Sequence, residues 1–268
     1  MLKARIVTAL FLATGLIAAL FLLPRLGSAA AFTGIVAIAA WEWGGLLQAG
    51  MTARWLFGSA TWLPCAALYW LGMPETLLIG LWSVALVFWL LLVPAWFAHR
   101  WILRPNVFGF LVGWLLLIPS WAGMVSLQAR SPWLLLAALA LVWAADIAAY
   151  FSGRAFGHHK LAPSISPGKT WEGAAGAGLG VLVYAAAVGS AAGVLVRLDW
   201  LQILLIILGL ILLTTVSILG DLFESLAKRQ AGVKDSSALL PGHGGVLDRI
   251  DSLTSTLPLA GLASLFIG

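Results

Sequence analysis

Residues 221 to 251, DLFESLAKRQAGVKDSSALLPGHGGVLDRID, hold nine of the chain's 25 Asp, Glu, Lys and Arg residues. Asp221, Glu224, Ser225 and Lys228 fall at i, i+3, i+4 and i+7, so a helix running through them sets all four on one face. Farther along, Gly242, Gly244 and Gly245 surround His243, and Asp248 and Asp251 follow at i, i+3. Glycines let backbone N–H groups approach phosphate oxygens. Carboxylates so spaced can ligate a hard cation such as Mg2+, which takes oxygen ligands and keeps waters beside substrate phosphates. Lys228, Arg229, Lys234 and Arg249 supply positive charge for a polyphosphate. The plainer reading is a solvated loop of ordinary salt bridges.

A second polar stretch, residues 145 to 173, contains SPGKT. It is not a nucleotide-binding P-loop, because Pro163 stands where G-x-x-x-x-G-K-[ST] needs its first glycine and no preceding strand is expected. Ser166, Lys169 and Thr170 remain as a phosphate-facing set in a turn stiffened by Pro167. Asp146, four residues before Tyr150, lies near one end of an apolar run. His158 and His159 are adjacent, which points their side chains apart and makes them surface groups; His243, among glycines, is placed to contact a phosphate or move a proton.

These residues must be held by helices in a membrane. The chain is 62% hydrophobic and only 9% charged, with a mean hydropathy of +1.03, far from the roughly 25% charge of a soluble domain. Apolar runs of membrane length fall at about residues 6–23, 28–49, 55–72, 76–98, 106–127, 133–152, 173–196, 200–220 and 252–268. None shows the period-two alternation of a membrane barrel. The expected fold is therefore all-α: a polytopic integral membrane protein of about nine transmembrane helices. Nine crossings put Lys3, Arg5, Arg54, Arg100, Arg104, Arg154, Lys160, Lys169, Lys228, Arg229, Lys234 and Arg249 on one side, and only Arg25, Arg130 and Arg197 on the other. The positive-inside rule makes the richer side, and the N-terminus, cytoplasmic. Topology also accounts for the basic pI, so no nucleic acid partner is called for.

The chain divides by composition into residues 1–132, a lipid-facing scaffold of transmembrane helices, and residues 133–268, a catalytic region with cytoplasmic connections at 153–172 and 221–251. The first region carries eleven tryptophans, many expected in an interfacial belt. Its one intramembrane acid, Glu42, reads as a buried structural hydrogen bond. Gly176 with Gly180, and Gly189 with Gly193, form two G-x-x-x-G pairs suited to close helix contact. Cys65, the single cysteine, reads as a small packing residue.

The spacing S-x-x-K-R-x4-K-D followed by P-x-H-G-G-x-x-D-R-x-D resembles the phosphatidate cytidylyltransferase (CDP-diacylglycerol synthase) family. Ser225, Lys228, Arg229, Lys234, Asp235, Pro241, His243, Gly244, Gly245, Asp248, Arg249 and Asp251 carry the likeness, which extends to DIAAYFSGRAFGHHKLAPSISPGKTWEG and weakly to LKARIVTA. One departure is Gly168, where that family usually has a second basic residue. The resemblance implies an enzyme that joins CTP to phosphatidic acid, with Mg2+ as cofactor and room for a second metal ion. It would sit in a bacterial inner membrane with its site facing the cytoplasm, among membrane lipids, with a homodimer as one arrangement left open. Asp221 and Asp248 are then the expected metal ligands, with Asp251, Asp146 and Glu224 as helpers. Lys234, His243, Arg249 and Asp251 join Asp221 and Asp248 in the catalytic set. Asp146, Ser166, Lys169, Thr170, Ser225, Lys228, Arg229, Gly244 and Gly245 would bind substrate. A CTP-dependent lipid-alcohol kinase and a membrane transporter are the other two readings.

Overall fold

The computed structural model describes residues 2–266, without the side chains of residues 2–5 and Leu195. The expectations for Lys3, Arg5 and the last two residues of the ninth run therefore lie outside what it describes. The described residues form nine helical rods: α1 (Leu2–Phe21), α2 (Arg25–Leu46), α3 (Met51–Ala60) with α4 (Trp62–Trp70), α5 (Glu75–Val87) with α6 (Val93–His99), α7 (Val107–Arg130), α8 (Pro132–Phe156), α9 (Trp171–Ala191), α10 (Trp200–Ala231) and α11 (Leu247–Ser264). A π-helical turn, Phe88–Leu92, joins α5 to α6. Six are long and apolar enough to cross a membrane: α2, the α5–α6 rod, α7, α8, α9 and α10. The protein is a helical membrane protein.

Local chemistry sets the ends of these helices. Asp199 caps α10 by accepting from Gln202 N at 2.8 Å while Gln202 Oε1 accepts from Asp199 N at 3.0 Å, a capping box that satisfies two otherwise orphaned donors. Lys228 and Arg229 sit in its last turn, where cations favour the helix dipole. Gly232, at φ +73°, ends it. With 32 residues, α10 is about 48 Å long, well beyond a hydrocarbon core of about 30 Å. Its polar C-terminal turns therefore project past the apolar stretch.

Two connections differ from expectation. Residues 153–156 belong to α8, and SPGKT is a strand: β1 (Lys160–Ala162) pairs antiparallel with β2 (Ser166–Thr170). The strand runs into α9, where Thr170 Oγ1 accepts from Gly173 N at 3.1 Å as the N-cap. An extended backbone at Ser166 suits the residue before a proline. The 221–251 connection is helical through Ala231, so Asp221, Glu224, Ser225 and Lys228 do share one helix face.

Packing corrects two further expectations. Trp43, Trp82, Trp89, Trp96 and Trp121 are fully buried core residues, not belt residues; Trp43 Nε1 donates to Gly109 O at 2.9 Å and Trp82 Nε1 to Pro119 O at 3.0 Å. Paired indole N–H groups help Trp43, Trp82, Trp96 and Trp121 sit inside, whereas the N–H of Trp89 is buried without a partner. Gly176 and Gly180 press α9 against Ser152 and Ala148 of α8, as a close-contact motif requires, whereas a Cβ added to Gly193 would meet nothing within 4 Å and this glycine turns the chain at φ +66° beyond the end of α9.

Helix α11 lies at the centre, packed on α7, α10, α5, α8 and α2. It buries Ser252, Thr254, Ser255 and Thr256. Hydroxyls along it donate to backbone carbonyls, among them Thr256 to Ser252 O at 2.9 Å, and Ser120 of α7 donates to Thr254 O at 2.8 Å. At one end of the bundle Gln48 reaches Ala231, Gln230 bonds Trp101 and Leu103, and Arg229 bonds Ile165 O. The 2–3, 4–5, 6–7 and 8–9 connections of the nine rods thus meet there. Arg25, Met73, Glu75, Arg130 and Leu265 line a cavity at the other end.

Candidate active site

The gathered end holds two cavities. The first, about 500 Å³, lies between α8, α9, α10 and the hairpin, and is lined by Asp146, Tyr150 and Arg154 of α8, Ser166, Gly168, Lys169 and Thr170 of β2, Thr214, Ser217 and Asp221 of α10, and Ser252 of α11. Small apolar residues, Ala145, Ala149, Ala174 and Ala177, form its helix-side wall. The second, about 640 Å³, is built by the 232–249 segment and lined by Lys234, Asp235, His243 and Arg249.

Between them runs a set of buried charges. Lys228 Nζ contacts Glu224 and lies 2.7 Å from Asp248 Oδ1. The three side chains are 14%, 5% and 4% exposed, so this is a desolvated triad and not a surface pair. Asp248 Oδ2 accepts three more hydrogen bonds, from Gly245 N at 2.7 Å and from Ser236 N and Oγ at 2.9 Å each. One oxygen of Asp248 is thus pinned by the loop while the other faces a cation. Asp221 repeats the arrangement: Ser225 donates to Oδ1 at 3.3 Å and Lys169 pairs with Oδ2. Asp146 and Asp251 both lie within electrostatic reach of Asp221, and Asp251 Oδ1 accepts from Ser252 N at 2.7 Å.

The expected site residues fall into distinct places. Asp146, Ser166, Lys169, Thr170 and Asp221 share the first cavity; Lys234, His243, Gly244 and Arg249 share the second. His243 Nδ1 is buried without a hydrogen-bond partner, and neither Lys234 nor Arg249 makes an ion pair among the described residues. Lys228 is committed to two carboxylates, and Arg229 Nε donates to Ile165 O at 3.3 Å, tying the hairpin to α10. Gly244, at φ +79°, and Gly245 approach carboxylates: a Cβ on Gly244 would lie 2.7 Å from Asp248 Oδ2, and one on Gly245 2.5 Å from Glu42 Oε1. Sequence reasoning missed Thr214 and Ser217, though at i−7 and i−4 from Asp221 they form a polar stripe on its helix face. It also missed Arg154, on the same face of α8 as Asp146 and Tyr150.

A helical bundle with carboxylates, ammonium groups and a glycine-built loop gathered at one end is suited to phosphate chemistry. The model of the cytidylyltransferase family matches residues 3–266, and the chain belongs to that family. It is 43% identical over 272 residues to the phosphatidate cytidylyltransferase of Pseudomonas aeruginosa, covering 97% of this chain and 95% of the relative. Identity to the phosphatidate cytidylyltransferase of Haemophilus influenzae is 36% over 299 residues, with 100% of both chains covered. A shorter match to that of Brucella suis is 51% identical over 124 residues, 45% of this chain and 42% of the relative.

Proposed function

We propose that the protein transfers the cytidylyl group of CTP to phosphatidate, yielding CDP-diacylglycerol and pyrophosphate. The observation that carries this reading is the full-length likeness to phosphatidate cytidylyltransferases, joined to a charged site at the end of a membrane bundle. There one substrate can arrive from water and the other from the leaflet.

The lipid's phosphate monoester is already an anionic nucleophile near neutral pH. A bond forms from one of its oxygens to the α-phosphorus of CTP as the bond from that phosphorus to the bridging oxygen of the β-phosphate breaks, and pyrophosphate leaves with the electron pair. No side-chain nucleophile is needed. The barrier lies in bringing two anions together and stabilising the leaving charge. Lys169 and Arg154 beside the first cavity, and Lys234 and Arg249 beside the second, meet that need.

Five carboxylates, Asp146, Asp221, Glu224, Asp248 and Asp251, face only two ammonium groups, Lys169 and Lys228. Carboxylates gathered in this number, some buried and some lining the open cavity, suit a divalent cation. No three such groups converge on one point among the described residues, so Mg2+ would take its remaining ligands from water and substrate phosphates, as is usual for it. Asp221 and Asp248 would hold it, each with one oxygen oriented by hydroxyl or backbone donors. Bound there, it supplies positive charge to the phosphates. Lys169 and Lys228, now against those carboxylates, then have phosphate oxygens as alternative partners.

We read the nine rods as nine crossings in a bacterial inner membrane, the gathered end facing the cytoplasm. The test is turnover of the purified protein in lipid with phosphatidate and CTP labelled at the α- or γ-phosphorus. The α label should enter lipid and the γ label pyrophosphate. Transfer of γ label to lipid with release of CDP would overturn the assignment.

A further inference from the structure

We infer that Glu42 is a positioning residue of the reaction: a carboxylate lent by α2 that ties together the two ends of the 232–246 loop and so fixes the orientation of Asp248. Glu42 is 0% exposed. Its Oε1 accepts from Ser237 Oγ at 2.6 Å and Val246 N at 3.0 Å; its Oε2 accepts from Leu247 N at 2.6 Å and, at 3.3 Å, shares with Asp248 the single proton of the Ser236 hydroxyl. All four donors come from the loop or its junction with α11, although Glu42 lies some 195 residues earlier in the chain. A carboxylate buried in an apolar bundle is costly unless its oxygens are satisfied; every hydrogen bond it accepts comes from the loop and its junction with α11, and Arg54 of α3 lies within electrostatic reach.

The link to Asp248 runs through shared groups. Ser236 sits between the two acids, its hydroxyl 3.3 Å from Glu42 and 2.9 Å from Asp248 Oδ2, with its N–H donated to Asp248 at 2.9 Å. Gly245 gives its N–H to Asp248 at 2.7 Å, and a Cβ there would run into Glu42. Glu42 thus holds in place the donors that pin Oδ2 of Asp248 and leave Oδ1 turned toward Lys228. The loop also carries Lys234 and His243 into the second cavity. α1 adds a tether at the tip, where Thr8 Oγ1 donates to Pro241 O at 3.1 Å. Each oxygen of Glu42 faces a backbone N–H, so an isosteric amide must turn its own N–H2 against one of them.

The role rests on the reading of Asp248 and its loop as part of the active site, and the test separates the two claims. In a Cys65→Ala background, a single cysteine is placed at Ala238, exposed on the loop, or at Gly168, exposed on the hairpin. Maleimide labelling is then compared with and without Glu42→Gln. Labelling at 238 should quicken at least about tenfold and labelling at 168 should stay within about twofold, while turnover measured without the reporters falls at least about thirtyfold. Ser237→Ala should slow the parent but add little to Glu42→Gln, as expected of groups acting in one network. Equal acceleration at both cysteines would mean general loosening, and unchanged labelling at 238 would mean no clamp; either overturns the inference. Faster labelling at 238 alone with turnover within about threefold would show a clamp on an idle loop, and would overturn the role through the failure of the site reading beneath it.

Discussion

Replacing Lys228 by methionine keeps the length and apolar stem of the side chain and removes one charge. Its ammonium lies 2.7 Å from Asp248 Oδ1 and against Glu224, in a triad whose acids are 5% exposed or less. Taking one partner from a buried ion pair costs about 3–5 kcal/mol, because the remaining charge is left uncompensated. Here two carboxylates would remain facing each other, but Asp248 keeps three donors on Oδ2, so the lower end, ~3 kcal/mol, is the better figure. At about 2–4 °C per kcal/mol for a chain of this size, the midpoint should fall by roughly 6–12 °C. Adding Glu224→Gln removes one orphaned charge and should recover about half of that loss. The assay is thermal unfolding of purified protein followed by tryptophan fluorescence, with turnover measured in parallel. If Lys228 also meets a phosphate during the reaction, the double variant regains stability while turnover stays at least about tenfold down. A double variant no more stable than Lys228→Met alone would refute the triad.

Three further outcomes follow from the same geometry. Asp221→Asn preserves size and the Ser225 contact but removes charge facing Lys169, and Asp248→Asn does the same opposite Lys228. Turnover should fall about a hundredfold for each with membrane-inserted protein nearly unchanged, the scale of losing one strong electrostatic stabiliser; activity within about threefold for both would return them to salt bridges. Gly168 lines the first cavity with no atom within 4 Å of an added Cβ, so Gly168→Lys should be accommodated. A partly exposed charge worth ~0.5–1 kcal/mol should lower KM for CTP about two- to fivefold, and a higher KM would place that charge away from the phosphates. A lone cysteine at position 168 should react in intact cells only with reagents that enter the cytoplasm; labelling from outside would reverse the proposed orientation.

Helix positions and the polar stripe of α10 were legible because period and hydropathy carry them. Asp221, Glu224, Ser225 and Lys228 share a helix face as their spacing requires, and the G-x-x-x-G pair at Gly176 and Gly180 makes the contact its small residues permit. What the sequence could not convey was which partner each charged group would take. Lys228 and Arg229 read as positive charge for a polyphosphate, and the partners the fold gives them are two acids for the one and a hairpin carbonyl for the other. Gly244 and Gly245 read as a phosphate cradle, and the anions they approach belong to Asp248 and Glu42. The tryptophans misled for a related reason: burial of an indole is eased when its N–H finds a carbonyl, as Trp82 finds Pro119 O, and that partner lies 37 residues away. The SPGKT strand escaped notice because its pairing partner is only three residues long.

The polar character of α11 bears on how the enzyme is made. A segment with Asp248, Arg249 and Asp251 in its first turns and four hydroxyl residues along its middle has little to gain from entering lipid by itself. Its hydroxyls and carbonyls are satisfied within the helix and by α7, so its partition into the bilayer depends on a groove that the earlier helices have already made. During synthesis α11 emerges after them, and its docking brings Asp248 to Lys228 and Asp251 into electrostatic reach of Asp221. Assembly of the carboxylate cluster is thereby deferred to a late step of membrane integration, and a partly inserted chain would lack it.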